Sequence, residues 1–170
     1  MNDLKQDIII GAIFVAVIGS LAHFVYNWSG NNRVVGFFTP INESVWEHTK
    51  LLFFPMLIYS LLLVYKYKEY CSCIIPSLCF GILSGTLLIP IFFYAYTSIL
   101  GKNFLILDII IFILSVILAF YCSYNFILSC SLKPCTLLLC ILVCALFICF
   151  IIFTYHPPNI KIFDDPTHPA

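Results

Sequence analysis

Five long apolar runs divide this chain, and no other feature constrains its fold as tightly. Each holds about 20 mostly apolar residues, the length a helix needs to cross about 30 Å of hydrocarbon. The runs cover residues 8–28, 42–65, 71–96, 104–128 and 136–155, with the apolar part of the second starting at Leu51. A soluble domain would have to coat such segments with charge, about 25% of its residues. Here charged residues make up 9% of the sequence and hydrophobic ones 62%. Eight Lys and Arg against eight Asp and Glu leave no charged face for nucleic acid. The same arithmetic excludes disorder, collagen and a coiled coil. The reading is an all-α integral membrane bundle of five transmembrane helices with short connections.

The first run is long enough to span, opens beside Asp3, Lys5 and Asp7, and stays polar at its far end, so a cleaved signal is not expected. Residues 1–155 form one transmembrane domain, and a Pro-rich polar tail, 156–170, is expected on or near one mouth of the bundle. There is no internal repeat. Pro76 and Pro90 are expected to kink or break the third span, with Gly81, Ser84 and Gly85 between them. Such broken helices line transporter sites, and small residues also admit a packing neighbour.

Five spans put the termini on opposite sides. Side A holds the N-terminus and the connections near 66–70 and 129–135; side B holds 29–41, 97–103 and the tail. The cations divide evenly: Lys5, Lys66, Lys68 and Lys133 on A, Arg33, Lys50, Lys102 and Lys161 on B. Cys71, Cys73, Cys130 and Cys135 lie near side A. Thiols persist unpaired in a reducing cytosol, which favours side A as the cytoplasmic face, with the N-terminus in and the C-terminus out. A disulfide there would mean the opposite. These four cysteines also admit a four-thiolate metal site, although their spacing is not the usual one. Cys140, Cys144 and Cys149 read as small packing residues on the fifth span.

Side B gathers nearly everything capable of chemistry. Ser20, His23 and Asn27 share a face in the last turns of the first span. Next come Thr39-Pro40, a sound helix start, and Ser44-x-x-Glu47, which would instead be a capping box. From either start Glu43, Glu47 and Lys50 share a face, and Ser44 pairs with His48 at i, i+4. Asp108 is the carboxylate flanked on both sides by long apolar sequence, so it needs a partner. His156 follows the fifth span and His168 lies in the tail. Candidate metal ligands are His23, His48 and His156, with a divalent ion such as zinc. Candidate catalytic groups are Glu47, Asp108, Glu43 and Ser44. Two imidazoles and a carboxylate with an open fourth position would activate water. The plainer alternative is a helix N-terminus that attracts carboxylates, with Lys50 and Arg33 pairing them.

The stretch from Gly19 to Lys50, with Asn42-Glu43-Ser44-Val-Trp46-Glu47-His48-Thr-Lys50 at its heart, resembles a family of small bacterial multi-pass membrane proteins of unknown function. The Ile89-Pro90 to Asp108 segment and the Pro157-Pro158…Phe163-x-Asp165-Pro166 tail fit it too. The resemblance implies five spans and no assigned activity. A looser likeness links Ser44-x-x-x-His48, Asp108 and His156 to intramembrane zinc hydrolases of the ceramidase and adiponectin-receptor type. Those carry seven spans and a closing His-x-x-x-His that this chain lacks, so the likeness is one of chemistry.

Three function classes survive. The first is a membrane-embedded, metal-assisted hydrolase or transferase acting on a lipid or lipid-linked substrate, with Glu47 as general base and Asp108 orienting a ligand. The second is a small proton-coupled transporter or channel using Asp108 and Glu43, which would need a homo-oligomer to enclose a path. The third is a structural subunit of a membrane complex. Histidines and carboxylates converging from distant stretches put the enzyme first.

Overall fold

A computed structural model describes residues 2–165. Six helices follow one another: α1 (Asn2–Trp28), the single-turn α2 (Arg33–Gly36), α3 (Val45–Tyr67), α4 (Ile74–Leu100), α5 (Leu105–Ser129) and α6 (Thr136–Phe153). Single 3-10 turns lie at Lys133–Cys135 and Lys161–Phe163, and there is no strand among the described residues. All but α2 are long and apolar enough to cross a membrane. At 1.5 Å per residue α3 reaches about 34 Å and the shorter α6 about 27 Å.

Neighbouring helices run antiparallel, as short connections require. Asp7, near the start of α1, accepts hydrogen bonds from Lys66 Nζ and Tyr67 Oη, both at 2.6 Å, at the end of α3. Tyr59 Oη adds a bond to the Asp7 carbonyl. The other end of α1 meets the start of α3. Between the two ends Gly19 faces the backbone carbonyl of Leu51 so closely that a Cβ would collide with it. Helices lacking a hydrophobic drive to associate in lipid use such small residues to approach.

α3 occupies the middle. It packs against α1, α4 and α6, with Leu52, Phe53, Met56, Ile82, Phe120 and Phe150 buried in the shared core. Gly81 and Gly85 of α4 rest on Ala119 and Ser123 of α5, so this stretch is a packing face. α4 is not broken. Pro76 is its third residue, where the missing N–H costs nothing, and Pro90 sits inside a continuous helix.

The side A ends of α4 and α5 are joined by a disulfide between Cys73 and Cys130, whose Cα atoms are 5.3 Å apart. Cys71 and Cys135 are free, and among the described residues these four make no metal cluster. A cytoplasmic side A rests on all four being unpaired thiols. The Cys73–Cys130 pairing removes that basis, because disulfides persist in oxidising compartments. Cys140 packs against Cys79 of α4, the two sulfurs 3.9 Å apart.

Candidate metal-binding site

The side B mouth is organised by where α3 begins. Ser44, not Thr39, is the N-cap: its Oγ accepts from Glu47 N–H at 3.3 Å. The Ser44 N–H donates to Asn42 Oδ1, so the reciprocal half of a capping box is absent. Glu47 instead turns inward. Its Oε2 accepts from the Ile41 N–H at 3.0 Å and from Lys50 Nζ at 2.7 Å. Lys50 also donates to the Gly36 carbonyl and to Thr154 Oγ1 of α6. Both side chains of this pair are almost wholly buried. Glu47 is thus a structural partner of Lys50, held away from water, rather than a free base at the mouth. Ser44 is buried at its cap as well.

Starting α3 at Val45 leaves Glu43 outside the helix, free to reach sideways. His48 stands in the first turn of α3, and its Nδ1 lies 2.8 Å from the Ser44 carbonyl. Only a protonated Nδ1 donates there, so a neutral His48 keeps its lone pair on Nε2. That Nε2 is 3.3 Å from Glu43 Oε2. His23 comes from the last turns of α1. It is brought in by the close approach one turn earlier at Gly19, and its Nε2 is 3.6 Å from the same oxygen. The two imidazole centroids are 5.2 Å apart.

His23, Glu43 and His48 each offer one ligand atom, all within 4.8 Å of one another. Tetrahedral ligands at zinc distances of about 2.1 Å stand about 3.4 Å apart. The His–Glu separations of 3.3 and 3.6 Å match that edge. The three side chains keep 32, 46 and 28% of their surface exposed, so the cluster opens to one side. The His48 contact, supported by the charges of both histidines, holds the Glu43 carboxyl below its ordinary value despite partial burial.

Asp108 stands in the first turn of α5, shallower than its flanking sequence suggested, and its Oδ1 accepts from Tyr96 Oη at 2.5 Å. Tyr96 Oη in turn accepts the Phe104 N–H. Nothing in the linear pattern marked Tyr96; the short turn from α4 to α5 brings it opposite Asp108. His156 is not in the cluster. Its N–H closes the end of α6 on Ile152, it is exposed, and Pro157-Pro158 follow it. Glu43 takes the place expected for it. His168 lies outside the described residues.

The tail folds back as far as Phe163, which packs against Trp46 of α3 and Phe153 of α6.

A family of unknown function, DUF6512, matches residues 1–168 of this chain. The chain belongs to that family. No curated protein and no solved structure matches it. Membership in DUF6512 brings no activity with it, so the chemistry of this DUF6512 chain rests on its own side chains: two imidazoles and one carboxylate at an open mouth.

Proposed function

We propose that this protein is a membrane-embedded, metal-dependent hydrolase or transferase acting at the side B mouth on a lipid or lipid-linked substrate. The observation that carries this reading is the convergence of His23, Glu43 and His48 on one point from α1, a loop and α3. The ligand set, two imidazoles and a carboxylate, suits zinc with one position left open. A metal held there would polarise a carbonyl or phosphoryl oxygen and activate water.

The chain's own groups divide the remaining work. Ser44 fixes the His48 tautomer through its carbonyl, the outer-shell role that orients metal-bound imidazoles. The Lys50–Glu47 pair anchors the start of α3, so the ligands stand on a fixed element. Asp108, with Tyr96 on its carboxylate, is the nearby group able to receive and return a proton. The apolar faces around the mouth deliver a substrate that already resides in the bilayer.

Bound-metal content tests the reading. Protein extracted into nanodiscs and measured by elemental mass spectrometry is expected to carry about one zinc, iron or manganese per chain. The metal falls away in His48→Ala and in Glu43→Gln, the second of which changes one partly exposed side chain. Well-folded protein without metal overturns the proposal.

A further inference from the structure

A second polar feature lies on the same mouth. α4 ends at Gly101, whose φ of 72° is the left-handed turn that glycine adopts freely. The turn leaves Lys102 and Asn103 on the rim of a groove of about 370 Å³. Lys161 lines the groove from the tail, and Phe93, Tyr94 and Ser98 line it from α4. Lys161 is brought there because Phe163, two residues on, is clamped by Trp46 and Phe153.

The two ammonium groups are exposed, and the ion pairs among the described residues include neither. Lys102 rests over the Phe104 ring, 4.9 Å from its centroid. The groove brings two cationic side chains to one small space, which favours an anion there. The groove also sits at the end of a membrane-length helix, the level at which lipid head groups lie. Its deeper wall, Phe93 and Tyr94, is the amphipathic aromatic lining suited to that level.

We propose that this groove holds the phosphate of an anionic lipid head group and is the substrate-docking part of the proposed active site. This rests on the enzymatic reading above. The chain links the two features twice. Thr97 and Ser98 follow Tyr96, whose hydroxyl holds Asp108 at the side B start of α5. On the other side, Lys161 begins the turn whose Phe163 packs on Trp46, two residues before His48 in α3. A lipid whose phosphate is held by Lys102 and Lys161 therefore lies on the same mouth as His23, Glu43 and His48.

The test uses full-length protein in phosphatidylcholine nanodiscs doped with phosphatidic acid. Retained lipid is read by native mass spectrometry and metal content is measured on the same sample. Wild type is expected to retain phosphatidic acid in preference to phosphatidylcholine. The double variant Lys102→Gln/Lys161→Gln is expected to lose that preference about 30-fold, which is about 2 kcal/mol at 1.4 kcal/mol per tenfold and one contact per lysine. It keeps its metal. Lys102→Arg/Lys161→Arg retains the preference. Equal retention of both lipids, or a preference unmoved in the Gln variant, overturns the proposal. Binding of inorganic phosphate with no lipid adduct overturns the lipid as occupant. Selective lipid retention in protein that carries no metal supports the groove and fails the metalloenzyme reading alone.

Discussion

Lys50 is a fully buried ammonium whose three donors are all used, on Gly36, Glu47 and Thr154. Removing the cation alone strands the Glu47 carboxylate in the core. Lys50→Met is expected to cost about 3–5 kcal/mol, whereas Lys50→Met with Glu47→Leu recovers most of it. Thermal unfolding in detergent would show the difference. In the sequence Glu43, Glu47 and Lys50 share one face, as they would on a helix starting at Pro40. That face does not exist. The helix starts five residues later, and the burial of Lys50 depends on Thr154, 104 positions away. No local pattern carries that information. His23 and His48, by contrast, were legible as residues of one mouth, since any five-span arrangement places both at side B.

The elements themselves follow from length and apolarity, and five helices of membrane length are what the runs require. Their ends do not follow as well. α1 begins at Asn2, six residues before its apolar run, because Asp7 finds Tyr67 and Lys66 on α3. α2 is one turn, too short to leave a periodic signal. The contact that builds the site is between elements: Gly19 lets α1 lie on α3 at Leu51, which sets His23 beside His48. Gly19→Leu should therefore separate the helices at this end and weaken metal retention at least tenfold, with the Asp7 staple intact. Elemental analysis at a series of chelator concentrations reads that loss, and retention equal to wild type would show that the close approach is dispensable.

For the molecule as a whole, the disulfide carries the clearest outcome. Protein alkylated in intact cells and then denatured should show seven reactive thiols, rising to nine on reduction. Nine at the outset would place Cys73 and Cys130 in a reducing space. The sequence could list the cysteines near side A but not choose this pair, since the choice depends on the ends of α4 and α5 abutting. The bundle is also unevenly supported. α3 has 56% of its apolar window buried and α1 only 22%. The first helix is held at one end by Asp7, in its middle by Phe14, Val15 and Gly19, and at its side B end by His23 beside His48. A metal that binds only when His23 and His48 are together stabilises that docking by mass action, and so works as a pin. Stripping it should speed amide exchange in residues 19–28 while 51–63 stay protected, a gradient of local opening read by hydrogen–deuterium exchange. The cluster would then govern how firmly the first helix is seated, whatever reaction it serves.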